Sequence, residues 1–252
     1  EKDYKPDPAK IEAWRLERLE YERQRKTETE TAIENLTNKH RWDEYYSWLA
    51  SDGIAAGYWI EAGIPDAFWW NEWKLGYDPH HSFWYDTGEG WKEHATATAT
   101  IPVRDPSRRI INIKHRLITP MPDGTKYRME YKTNTEPVFI SNLDDKEFTH
   151  TVMCEGEKKS AVTFLLIDSP NIQCIGLPKN PSLEMLQAVK TKHIIDILDP
   201  DVKEADIERK RIEYAEVDYK IVRLPEKIDD IILYSNISKD DIRKIIKQAR
   251  KP

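Results

Sequence analysis

TVMCEGEKKSAVTFLL, residues 151–166, decides how the C-terminal half of this chain is read. An apolar run ends in Glu155, a single glycine follows at Gly156, and a charged cluster opens a segment of helical character. Such a strand–turn–helix can cradle a phosphate on backbone N–H groups or present a carboxylate to a metal ion. Gly156 is the only glycine in the stretch, and neither G-x-x-x-x-G-K-[ST] nor G-x-G-x-x-G occurs. A phosphate loop and a dinucleotide fingerprint therefore both fail.

From about Thr149 onward the chain repeats one pattern. HTVMC, IQCIGL, HIIDIL and YKIVRL read as strands. KKSAVTFLLI, PSLEMLQAVK and DVKEADIERKRIEYA lie between them with the length of crossover helices. Dense apolar strands joined in this way predict a mostly parallel sheet covered on both faces, with right-handed crossovers. SKDDIRKIIKQAR, residues 238–250, predicts a last amphipathic helix with Ser238 as its cap.

Ligand sites in parallel sheets gather at the carboxyl ends of the strands. HIIDILDPDV, residues 193–202, releases Asp199 and Asp201 at such an end, and Pro200 between them keeps the turn extended. Glu155 holds the equivalent place on the first strand of the region. Three acids at one sheet edge repel each other unless a cation is present. A hard divalent ion, Mg²⁺ or Mn²⁺, wants oxygen ligands of this kind. A structural reading stands beside it, in which DPD is a turn and Asp201 caps the following helix.

The upstream half has a different character. Residues 7–50 are charged with sparse apolar positions, and Ile11, Trp14 and Tyr21 share one face of a long, mostly exposed helix. YWIEAGIPDAFWWNEWKLGY, residues 58–77, predicts a short helix with Pro65 at its first position and Gly76 as a left-handed cap. Its tryptophans can stack on bases or fill the core of a small helical subdomain, and the second reading is the simpler. ATATATIPV, RRIINIKHRLI and TKYRMEY then read as strands. This segment carries Arg104, Arg108, Arg109, Lys114, Arg116, Lys126, Arg128 and Lys132 against three acids, a basic patch on a chain of net charge −6. Such a patch is either a nucleic-acid surface or a solvated face.

Length and composition bound the rest. The chain has 252 residues, enough for one large domain or two ordinary ones. Cys154 and Cys174 are too few for a zinc cluster or a disulfide framework and sit in apolar runs, so they read as buried small hydrophobes. No run approaches a membrane span and the N-terminus is not signal-like, which fits a cytoplasmic protein. The opening at Glu1 rather than Met is compatible with a piece of a longer protein.

These motifs resemble, in order, the catalytic core of the DnaG-type DNA primases of bacteria and phages, mobile elements included. VMCEGEKKSAVTFL is similar to the first motif of their Toprim domain, with Glu155 as the catalytic glutamate. DILDPDV is similar to the Asp-x-Asp motif, with Asp199 and Asp201 as the metal-binding pair. IQCIGLP resembles the strand and turn between them. YKIVRLPEKIDD resembles the later strand and loop, placing Lys227 and Asp229 at matching positions. GIPDAFWWNEWKLGYDP and the strands after it resemble the amino-terminal part of the core. The resemblance covers roughly residues 45–250. Three departures stand out: Asp-Pro-Asp replaces Asp-Gly-Asp, Lys159 stands where many relatives have an acid, and no Cys/His zinc module is present.

The resemblance implies an α/β Toprim domain with a four-stranded, mostly parallel sheet between helices. A mixed α+β basic subdomain and an N-terminal charged helix precede it. The expected divisions are a helical segment at 1–50, the amino-terminal subdomain at 51–147, the Toprim domain at 148–235 and a C-terminal helix at 236–252. It further implies synthesis of short primers on single-stranded DNA by metal-dependent nucleotidyl transfer from nucleoside triphosphates. Glu155, Asp199 and Asp201 would be catalytic and hold Mg²⁺ or Mn²⁺, with Asp229 as a further ligand. Arg104, Arg109, Arg116, Lys126, Tyr127, Lys158 and Lys227 would meet nucleic acid or nucleotide. A replicative helicase or an upstream zinc-binding module would be a partner. A Toprim nuclease using the same acids, and a non-catalytic nucleic-acid-binding scaffold for replication or repair, are the alternatives.

Overall fold

The computed structural model describes residues 8–105, 107–131, 138–143, 147–178, 181, 191–234 and 238–251. Helix α1 (Pro8–Lys39) leads into α2 (Arg41–Ser51), α3 (Gly53–Glu61) and α4 (Ala67–Trp73). The side chains of Ile11 and Trp14 lie outside the described residues. Tyr21, expected on the docking stripe, is 58% exposed. Docking instead falls at the far end of α1, where buried Leu36 packs with Tyr45 of α2 and Ile113.

Helix α4 starts and stops two residues inside its expected bounds. Ala67, not Pro65, is its first residue; Asp66 is the cap, and its carboxylate accepts the Phe68 N–H at 2.8 Å. The left-handed residue at the other end is Lys74 (φ 56°), while Gly76 opens strand β1 (Gly76–Asp78). Gly76 is needed for another reason: a Cβ there would lie 2.5 Å from Tyr45 Cβ and 2.6 Å from Thr100 Oγ1. The tryptophans build core. Trp59, Trp70 and Trp73 are buried, and each indole N–H donates to a main-chain carbonyl, of Gly76, Ile64 and Ser141 respectively. That is how a buried indole is normally satisfied.

Strands β2 (Ser82–Asp86) and β3 (Trp91–Ala95) pair as a separate hairpin. Strands β4 (Thr98–Arg104), β5 (Ile110–Leu117) and β6 (Tyr127–Met129) follow. With β1 they form the chain's four-stranded sheet, in the order β1-β4-β5-β6, and every pairing in it is antiparallel. The expectation of a four-stranded, mostly parallel sheet is corrected here. The sheet that carries Glu155 has five strands of mixed direction: β7 (Phe139–Ile140), β8 (His150–Glu155), β9 (Ile172–Leu177), β10 (His193–Leu198) and β11 (Asp218–Arg223), ordered β11-β10-β8-β9-β7. Strands β8 to β11 pair in parallel, and β7 closes the edge antiparallel to β9. A two-residue strand has no periodicity to read, so β7 is invisible in sequence.

Residues 182–190, where a crossover helix is expected, lie outside the described residues. The other helices are α5 (Glu157–Ile167), α6 (Glu204–Glu213), α7 (Ile228–Tyr234) and α8 (Lys239–Lys247), the last capped by Ser238. Alternation along β8 divides the core. Val152 and Cys154 pack with Leu166, Ile228, Ile231, Ile242 and Ile246 of α5, α7 and α8, whereas Met153 packs on the other face with Tyr214 and Tyr219. Burial pushes the Cys154 thiol up to about 12, so it behaves as a small hydrophobe. A further apolar cluster joins the two halves. Trp59, Trp70, Trp73, Ala99 and Ile101 meet Phe139, Ala161 and Val162 there. Among the described residues no helix is long and apolar enough to cross a membrane.

Candidate metal and nucleotide site

The turn after β8 is held from two sides. Gly156 has φ 88° and ψ 164°, a conformation that excludes other L-residues at little strain, and its N–H donates to Leu177 O at the end of β9 (2.7 Å). Beneath it Gly176 supplies room, since a Cβ there would sit 2.5 Å from Gly156 O. The Gly156 N–H is thus engaged within the fold, which argues against a phosphate cradle. The turn instead presents Glu155 at the strand end. Gly176→Ala is expected to displace this turn and destabilise the chain by about 1–3 kcal/mol through overpacking, read as a lowered Tm.

Glu155 is half-buried and has no hydrogen-bond or ion-pair partner among the described residues. Asp199, 7% exposed at the end of β10, is paired with Lys159 of α5. Glu155 and Asp199 share the wall of one small cavity of about 30 Å³. Asp201 is exposed in the turn that follows. It does not cap α6, whose cap position is Lys203. Asp229 of α7 is 8% exposed; its Oδ2 lies 3.1 Å from Lys158 Nζ, and its buried Oδ1 has no partner among the described residues. Glu155 and Asp229 line the same groove, and carboxylates of this kind suit a hard cation. Nearby Asp196 is a structural acid by contrast, bonded to Lys210 (2.7 Å) and Tyr219 (2.9 Å).

Strand β5 faces this turn across an open groove of about 750 Å³ lined by Glu155, Lys158, Lys227 and Asp229 on one side and Tyr58, Arg116, Lys126 and Tyr127 on the other. Lys114 and Arg116 project to the same face, as alternation requires. Lys114 bonds Glu157 of α5 at 2.5 Å, tying the two sheets together. Arg116 bonds the Tyr127 hydroxyl at 2.5 Å and lies over that ring, 5.1 Å from its centre. Burial pushes the Tyr58 phenol up to about 12, so it enters the groove as a neutral donor. Arg104 and Arg109 are elsewhere, at the opposite end of the β4–β5 hairpin. Arg104 bonds Arg108 O, and burial pulls its guanidinium down to about 10, while Arg109 pairs with Asp105. Lys132 lies outside the described residues.

A second constellation was not legible in the sequence. Asp78, His81 and His115 place ligand atoms within 4.8 Å of one another, a set able to hold a divalent ion. Glu155, Asp199 and Asp201 are not drawn that close. Asp199 is engaged by the Lys159 ammonium instead. Burial lowers the His115 ring below the ordinary histidine value, which favours its neutral form.

No family model matches the chain, and no curated protein does. Solved structures do. The zinc-binding and RNA polymerase domains of Aquifex aeolicus primase superpose with a TM-score of 0.62 at 18% identity over 90% of this chain, which spans 62% of that one. A DnaG primase catalytic domain bound to single-stranded DNA gives 0.63 at 14% identity, covering 90% of this chain and 82% of the other. The Escherichia coli primase catalytic core gives 0.59 at 15%, covering 83% and 78%. The chain has the fold of a DnaG-type primase core, its Toprim domain included.

Proposed function

We propose that this chain is the nucleotidyl-transferring core of a DNA primase, joining nucleoside triphosphates into short oligonucleotides on single-stranded DNA. One observation carries the reading. A single groove brings Glu155 and Asp229 opposite Arg116, Lys126 and Tyr127, so acids and basic side chains from the two halves of the chain face each other. Single-stranded DNA bound to one of the similar structures supports the choice of template.

In this reading Arg116, Lys126, Lys158 and Lys227 hold template backbone and triphosphate, and Tyr127 offers a stacking face. The 3′-oxygen of one nucleotide forms a bond to the α-phosphorus of the next, the bond to the bridging oxygen breaks, and pyrophosphate leaves. Glu155 takes up or orients the proton of the attacking hydroxyl. Asp199 and Asp201, with Glu155 and Asp229, are the residues that would hold Mg²⁺ or Mn²⁺, which neutralises charge developing on the phosphates.

The assay is primer synthesis on single-stranded DNA with labelled nucleotides and either metal. Short products that require nucleotides support the reading. DNA cleavage in the absence of nucleotides, without extension, would replace it with the nuclease. Arg116→Ala is expected to raise the apparent KM for nucleotide about tenfold or more, the weight of one charge-assisted hydrogen bond (about 1.5–3 kcal/mol). Binding should also become less sensitive to salt as one phosphate contact is lost. An unchanged KM and salt slope would return the basic strand to an ordinary solvated face.

A further inference from the structure

Behind the groove, on the opposite face of β5, two imidazoles and two carboxylates converge from three places in the chain. Asp78 ends β1, His81 lies in the turn after it, His115 sits in β5, and Glu130 follows β6. The first three have ligand atoms within 4.8 Å of one another, and Glu130 Oε2 is 3.5 Å from His115 Nε2. The site is dry: His115 is 0% and Asp78 6% exposed, and the Glu130 and His81 side chains 13% and 16%.

The two carboxylates differ in their partners. Glu130 is held by Arg41 (3.3 Å) and the Tyr45 hydroxyl (3.4 Å). Asp78 meets only the His80 N–H (3.0 Å) and His81 Nδ1 (3.3 Å), with no lysine or arginine on it among the described residues. A buried carboxylate of this kind calls for a cation. The outer hydrogen bond is in place as well. His115 Nδ1 lies 2.8 Å from the hydroxyl of fully buried Thr98, the kind of outer contact that orients a ligating imidazole, while its Nε2 faces Glu130.

We propose that Asp78, His81 and His115, with Glu130 completing the set, form a structural site for a divalent first-row transition ion of the zinc type. Two nitrogens and two carboxylates suit a tetrahedral borderline ion, whereas Mg²⁺ prefers six oxygens. The site is thereby chemically distinct from the one across β5. The rings of His81 and His115 now stack at 4.0 Å between centres. Coordination then pins β1 and its turn to β5 directly behind Lys114 and Arg116, which flank His115 in sequence and face the groove.

The test uses the full chain, stripped with a chelator. It is titrated with Zn²⁺ by calorimetry and with Co²⁺ by visible absorption, in excess Mg²⁺. One ion per chain is expected, with tetrahedral Co²⁺ bands that Mg²⁺ does not displace and a Tm that rises with Zn²⁺. His81→Asn should remove the bands. Thr98→Val, which keeps the shape and loses the outer hydrogen bond, should weaken binding about 10- to 100-fold. Glu155→Gln should leave the stoichiometry untouched, which separates this site from the primase reading. No stoichiometric Zn²⁺ binding, or binding unchanged in both His81→Asn and Asp78→Asn, would make the cluster a hydrogen-bonded histidine stack and overturn the proposal. His81 lies in a turn at the rim, so its variant tests the site even where changes at fully buried His115 prevent folding.

Discussion

Glu155→Gln is expected to lower primer synthesis by about 10²- to 10⁴-fold, the range for loss of a positioned acid–base group, without unfolding the chain. The second half of that expectation comes from the surroundings of Glu155. The residue is half-buried at the end of β8 and has no partner among the described residues, so the isosteric amide breaks no hydrogen bond. Stability should stay within about 0.5 kcal/mol of the wild type, as at a site free of packing or pairing roles. Activity and Tm measured on the same preparation separate the two effects. A variant with full activity would remove Glu155 from the chemistry. A variant that loses activity and Tm together would make it a structural residue.

What made Glu155 legible was the break in period around it. Apolar residues through Cys154, one acid, one glycine and then a helical pattern can hardly be read except as a strand end and a turn. Asp199 and the DPD turn were legible for the same reason, and all four long parallel strands lie where the apolar runs place them. The failures have physical causes too. Strand β7 is two residues long and β1 three, too short for alternation to appear. Lys74 adopts a left-handed conformation that glycine would adopt more easily, and Gly76 is reserved for its close contact with Tyr45. The glycine signal therefore lies two positions beyond the residue that turns left-handed. The basic segment divided by position along one hairpin. Arg116 and Arg104 look equivalent in sequence, but they stand at opposite ends of β4–β5, one in the groove and one bonded to a neighbouring carbonyl.

The Asp78 cluster shows a different limit. Its members are drawn from positions 78, 81, 115 and 130, and only the D-x-x-H spacing is local. The antiparallel register that brings His115 next to Thr98 and Thr100 depends on tertiary pairing, which no window of sequence contains. The same holds for Lys159. Its charge stands out in the motif, but the partner that gives it meaning lies forty residues away.

Lys159→Met should expose that meaning. The Lys159 and Asp199 side chains are only 12% and 6% exposed, so their pair is buried, and removing one member leaves a charge without compensation. The expected loss is about 3–5 kcal/mol in the presence of chelator. Methionine keeps the apolar stem, so lost packing contributes little. A divalent ion can replace the missing ammonium if Asp199 is a ligand. At a hundredfold excess over Kd it would return about 2.7 kcal/mol, which for a chain of this size raises Tm by about 5–10 °C. The wild type, whose Asp199 already has a cation, should gain less from Mg²⁺ than the variant. Thermal unfolding of both proteins in chelator and in Mg²⁺ gives the four numbers needed. Equal Mg²⁺ responses would mean that Lys159 and the metal do not compete for Asp199, and the carboxylate would leave the proposed metal site. A larger response in the variant would show that this lysine holds in place, before any ion arrives, the carboxylate that an ion is to use.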